Sequence, residues 1–121
     1  MAEVARFLFI TIDAQDAGRV ADFWAAVFDT EINEELDDGR YLVLKDRDDL
    51  PAIAIQRVPE PKQGKVRIHL DLGAKDLEDA TERIVALGGS WDGEDRTLDD
   101  LVWRTFADPE GHEFDVIKTR T

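Results

Sequence analysis

Apolar and polar residues alternate in two stretches of this chain that resemble each other at an offset of sixty positions, from Phe9 to His69. In the first, Leu8, Ile10 and Ile12 stand against Phe7, Phe9 and Thr11. In the second, Ile68, Leu70 and Leu72 stand against Arg67, His69 and Asp71. A period of two with one apolar set predicts a strand with one buried face. Each stretch leads to an aspartate, Asp16 or Asp76, whose carboxylate can accept from an unpaired N–H of a helix's first turn. Helical spacing follows, with one stripe of Val20, Phe23, Trp24 and Val27 and another of Leu77, Ala80, Ile84 and Leu87. Gly88-Gly89 provides the positive-φ residue that ends the second helix.

Short strands joined by turns are expected after each helix. In the first half, Thr30–Asn33 and Tyr41–Leu44 flank Asp37-Asp38-Gly39, and KDRDDLP leads to AIAIQRV. In the second half, WDGEDRTLDD reads as a solvated loop, followed by LVWRTFA, the turn Asp108-Pro109-Glu110-Gly111, and HEFDVIK. Proline at the second and glycine at the fourth position suit a type I turn. Each half therefore reads β-α-β-β-β, and PEPKQG is the natural linker between them. The expected fold class is α+β: one domain over residues 1–121, with module one at about 5–60 and module two at about 65–120.

Composition narrows the chemistry. At 121 residues and 43% hydrophobic, the chain has the size of one domain and can bury roughly two-thirds of its unfolded surface. Without cysteine, thiol nucleophiles and zinc–thiolate sites are excluded. A net charge of −13 argues against nucleic acid, since no excess of Lys and Arg exists to displace phosphate counterions. No apolar run approaches the length of a membrane span, so no membrane partner is expected and the cytoplasm is the expected location. Ser90 is the only serine and has no histidine in a local motif, which leaves a serine-hydrolase reading without support. No glycine-rich phosphate loop appears, and the acidic stretch at 92–100 lacks calcium-loop spacing.

The paired strand–Asp–helix openings, QRVPEPK followed by VRIHLDL, and the closing DPEGHEF together resemble the vicinal oxygen chelate superfamily, within it the small glyoxalase-like domain proteins. The resemblance covers nearly the whole chain. It implies a curled mixed sheet in paired βαβββ modules, a cup-shaped cavity between them, and a homodimer. Members include metal-dependent lyases, isomerases and dioxygenases, and proteins that bind antibiotics such as bleomycin. Metal-using members place one ligand on the first and last strand of each half; those positions here are Phe9, Gln56, His69 and Asp115.

Strand parity points to the same set. Ile53 and Ile55 under a helix turn Ala52, Ala54 and Gln56 to the other face; Phe114 and Val116 do the same for Glu113 and Asp115. Phe9 cannot ligate a metal and Gln56 is a neutral oxygen donor, so no metal cofactor is expected; a divalent ion, if bound, would rest on Gln56, His69 and Asp115. His112 would have to supply a second histidine, and its parity points it away; with Asp108 and Glu110 it is expected to build the turn. The expected function is binding of a neutral or cationic small molecule, lined by Phe9, Gln56, His69, Trp103 and Asp115. The competing class is a metal-dependent lyase, isomerase or dioxygenase.

Overall fold

A computed structural model describes residues 4–120 and divides the chain between Pro61 and Lys62 into two compact units. Among the described residues there are two helices and nine strands, in two mixed sheets, an α+β fold.

The first unit runs β1 (Phe9–Ala14), α1 (Ala17–Val27), β2 (Ile32–Leu36), β3 (Tyr41–Leu44) and β4 (Ala52–Arg57). Its sheet has the order β1-β4-β3-β2, with β1 parallel to β4 and the other pairs antiparallel. Asp16 caps α1 by accepting from the Arg19 N–H at 3.2 Å. The helix buries Val20, Phe23 and Trp24, and Ile12, Ala14, Leu42, Leu44, Ile53 and Ile55 of the sheet are buried as well. Phe23 meets Trp24 edge to face at 5.1 Å, and Phe28 stacks on Trp24 at 5.6 Å.

The second unit runs β5 (Asp71–Ala74), α2 (Leu77–Ala86), β6 (Ser90–Trp91), β7 (Arg96–Leu98), β8 (Leu101–Ala107) and β9 (Glu113–Lys118). The sheet order is β5-β9-β8-β6, with β7 also paired to β8. Asp76 caps α2 through the Asp79 N–H at 3.0 Å. Leu77, Ile84, Phe106, Phe114 and Val116 form the core, with the two phenylalanines stacked at 5.7 Å. Leu87, at the end of the expected stripe, is instead 41% exposed.

Several element boundaries depart from the alternation pattern, each for a local reason. β1 begins at Phe9 rather than Phe7, because Phe9 pairs with Ala52 and Pro51 precedes it with no N–H to extend the ladder. β2 begins at Ile32 because Thr30 is taken up at the exit of α1, its N–H donating to Ala25 and its hydroxyl to Lys45 O. β5 begins at Asp71, not Arg67. Upstream, the Val66 N–H donates to the Glu113 side chain at 2.9 Å, and Ile68 is 84% exposed. The acidic stretch is not simply a solvated loop: Arg96–Leu98 forms a hairpin with β8, its turn made at Asp99 with φ 53°. Three residues carrying an arginine and a threonine are too short and polar to announce a strand by alternation. The second unit is therefore β-α-β-β-β-β.

Turn chemistry is carried by aspartates. Asp37, Asp38 and Gly39 all have positive φ, and the Arg40 N–H closes the turn on Asp37 O at 3.1 Å. At DPEG, the Gly111 N–H donates to Asp108 O at 2.9 Å, while buried Asp108 accepts from the Glu110 and His112 N–H groups.

Candidate functional site

Across the second sheet, Asp71 on β5 lies in register with Asp115 on β9, and Asp115 with Thr105 on β8. Residues in register share a face, and it is the face away from buried Phe114 and Val116. His69, just ahead of β5, joins this row: its Nδ1 is 3.1 Å from Asp71 Oδ1 and 3.8 Å from Asp115 Oδ2. The Thr105 hydroxyl donates to Asp115 Oδ1 at 2.6 Å. Asp115 thus has one oxygen fixed by a threonine and the other turned to a histidine. Its side chain is 18% exposed, against 53% for Asp71.

Trp103 sits on the same face opposite Ile117, two residues or about 7 Å along β8 from Thr105. Arg96 stands in register with Trp103 and binds Asp92 at 2.5 Å. That hydrogen bond raises the arginine's pKa and lowers that of Asp92, with the charge of Asp115 adding to the effect on Arg96.

His112 is not one of the clustered groups of this row, although the charge of His69 reaches it. Burial pushes its pKa below the usual histidine value, against the opposing charges of Asp108 and Glu113. Desolvation pushes the Glu113 carboxyl up, but hydrogen bonds from the Val66 N–H and Lys62 Nζ outweigh it and hold the group below the usual range.

His69, Asp71 and Asp115 each offer a ligand atom within 4.8 Å of the others. One imidazole nitrogen and two carboxylate oxygens suit a borderline or hard divalent ion with open coordination positions. The donor set fits without Phe9 or Gln56. Thr105 would fix the orientation of Asp115 toward such an ion, as hydrogen-bonded carboxylates do at metal sites.

In the first unit, Phe9 and Gln56 share the exposed face of their sheet, but the structure does not bring them together. Phe9 pairs with Ala52, and Gln56 with Asp13 on one side and Tyr41 on the other. Four residues along a strand separate the two rows, about 13 Å. Phe9 is 50% exposed.

Of the residues expected from sequence, His69 and Asp115 meet, and Trp103 shares their face. The reason expected for His69, a strand whose core face is Ile68 and Leu70, does not hold, because that segment is irregular and Ile68 is exposed. Asp71 and Thr105 were missed. Asp71 carried a signal, alternating with His69; Thr105 had only its spacing of two from Trp103.

Two sheets, each opened by a strand, capped helix and returning strands, define the glyoxalase-like class of α+β proteins. The glyoxalase-like domain family matches residues 9–117, and the chain belongs to it. No curated protein matches the sequence. Among solved structures, a glyoxalase/bleomycin resistance protein/dioxygenase from Nocardioides superposes with a TM-score of 0.74 at 12% identity, covering 98% of this chain and 85% of that one. A family enzyme from Burkholderia phytofirmans gives 0.72 at 15%, covering 94% and 98%. A superfamily member from Sphaerobacter thermophilus gives 0.70 at 17%, covering 96% and 98%. At these identities the likeness is one of fold.

Proposed function

We propose that the protein binds a neutral or cationic small organic molecule through the row His69, Asp71, Asp115 and Thr105, with the Trp103 ring as its apolar neighbour. The observation that carries this reading is the division of labour at Asp115: one oxygen held by Thr105, the other available to a ligand donor beside His69. Two carboxylates side by side attract a cationic or hydrogen-bond-donating head group, and an indole face suits an aromatic body. The net charge of −13 disfavours anions at this row. The family resemblance supports a homodimer, and the composition a cytoplasmic setting.

A second reading is favoured by the compactness of the three donors: a divalent ion on His69, Asp71 and Asp115, serving lyase, isomerase or dioxygenase chemistry. Held by these three side chains, the ion would polarise a substrate oxygen, while the Thr105 hydroxyl would keep Asp115 oriented.

A thermal-shift and calorimetric series of aromatic amines, their neutral isosteres and aromatic carboxylates, each with and without divalent metal, separates the two. The binding reading expects amines to stabilise the protein without metal. Asp115→Asn should weaken the amine by about 1.5–3 kcal/mol, the worth of a charge-assisted hydrogen bond, and the neutral isostere by less. Stabilisation only by carboxylates, only with added metal, and lost in His69→Ala would replace the first reading with the second.

A further inference from the structure

In the first unit, the β3–β4 pairing continues one residue ahead of β3, to the last residue of β4. The register Tyr41↔Gln56 and Leu42↔Ile55 sets Arg40 opposite Arg57, and the Arg57 N–H donates to Arg40 O at 2.7 Å. Two guanidinium residues thus stand directly across a strand pair, an arrangement of like charges that destabilises a sheet. It occurs in a chain with 28 acidic and 15 basic residues, where an acidic partner would be the easier choice.

These arginines line an open cleft of about 460 Å³ together with Gln15, Val58 and Pro59. Alternation along β4 places Arg57 on the sheet face opposite Gln56, and Arg40 lies in the turn just ahead of β3. The Gln15 amide donates to Pro59 O at 2.7 Å, which ties the end of β1 to the segment after β4. Arg40 lies over the Tyr41 ring at 5.7 Å, and its nearest carboxylate, Asp37, is 3.8 Å away with both side chains more than half exposed. Among the described residues no carboxylate lies within ion-pair distance of Arg57.

We propose that this cleft is an oxyanion site, in which Arg40 and Arg57 together hold the carboxylate or phosphate of a small molecule whose apolar part rests on Val58 and Pro59. Planar guanidinium forks match both oxyanions, offering paired N–H donors to paired oxygens. An oxyanion between the arginines offsets the pairing of like charges across the strands, and the open cleft leaves both guanidinium groups within reach of a ligand from solvent. Two carboxylates are built-in competitors: Asp37 holds Arg40 at long range, and Glu35 and Arg57 both reach the space above Gly39.

Calorimetry with phenyl phosphate, benzoate and neutral benzyl alcohol at matched ionic strength tests this, with amide chemical shifts locating the contact. Saturable one-to-one binding of an oxyanion, absent for the alcohol and with shifts at Gly39, Arg57 and Val58, is the expected result. The stronger of the two anions assigns the class. Arg57→Gln should weaken it by at least about tenfold, the loss of a charge-assisted pair. Asp37→Asn should strengthen it, and asparagine tolerates the positive φ at this position. His69→Ala should leave it unchanged. Absence of saturable binding, affinities equal to wild type in both Arg57→Gln and Asp37→Asn, or shifts confined to the His69 row would overturn the proposal.

Discussion

The helices α1 and α2 hold the same place in two copies of one motif, yet they are seated by different physics. Along α1, Ala17, Val20, Ala21, Phe23, Trp24 and Ala25 are all buried, so the contact is apolar and tightly packed. Along α2 only Leu77, Thr81 and Ile84 are buried, and the space beneath is shared with a guanidinium. Arg104, 5% exposed, donates to Thr81 Oγ1 at 2.9 Å, to Glu78 at 2.5 Å and to Asp95 at 2.6 Å, and stacks over Trp91 at 4.1 Å. Thr81 in turn donates to Leu77 O at 2.6 Å. Topology has been kept while the source of cohesion has changed from hydrophobic burial to a hydrogen-bonded charge. The unit with the polar seat is also the one whose opposite sheet face carries the row of His69, Asp71 and Asp115.

The largest expected effect breaks the apolar seat. Trp24→Ala removes a fully buried indole that meets two phenylalanines and should cost about 3–5 kcal/mol. Urea unfolding measures it, and added salt should leave the penalty unchanged. Arg104→Ala should cost less, about 1–3 kcal/mol, because Glu78 and Asp95 are exposed and regain water when released. Here the penalty should shrink as salt screens the wild-type contacts. Equal salt sensitivity in the two variants would erase the contrast between the seats.

Thr105→Val probes the other face of the second sheet, with an expected cost of about 1 kcal/mol for the lost hydroxyl bond to Asp115. The same variant should weaken an aromatic amine, since Asp115 loses its orientation; unchanged amine affinity would detach Thr105 from the site.

The smallest effect is in pH. His112 has its pKa lowered by burial from about 6.5, so in the window below that value the unfolded chain binds more protons than the folded one. Stability therefore falls as pH drops through that window. His112→Gln should flatten this part of the profile. Glu113, held low by Lys62 and Val66, adds its own loss at more acidic pH, when the carboxylate is protonated.

What the sequence could disclose depended on whether the determining contact was local. Helix caps, apolar stripes and the DPEG turn depend on residues within a few positions of each other, and Asp16, Asp76, Trp24 and Asp108 sit as the pattern predicts. Strand starts depend on the partner strand: Pro51 cuts off β1, and the hold of Glu113 on Val66 delays β5, neither visible in the alternation of Phe7–Ile12 or Arg67–Leu72. Asp115 was legible through its parity with buried Phe114 and Val116, and His69 through the repeated opening alone, since the segment ahead of Asp71 is irregular. That Asp71 and Thr105 complete the row is a matter of register across three strands, which one strand's sequence does not encode. Arg104 in the core is the hardest to foresee, since its partners come from α2 and from the acidic stretch.

The aspartates that shape the turns also set how the protein ages. An aspartate followed by glycine can close its side chain onto the next backbone nitrogen, lose water, and reopen as a β-linked residue with an extra methylene in the main chain. The chain has this pair at Asp38-Gly39 and Asp92-Gly93. The Asp92 carboxylate is occupied by Arg96 and by the Glu94 N–H, which keeps it from its neighbour. Asp38 lies exposed at the tip of the β2–β3 turn with positive φ and has no such restraint. Chemical wear on storage should therefore begin at Asp38, lengthening the turn that delivers Arg40 to its place opposite Arg57, and a stored sample should lose the oxyanion cleft before it loses its fold.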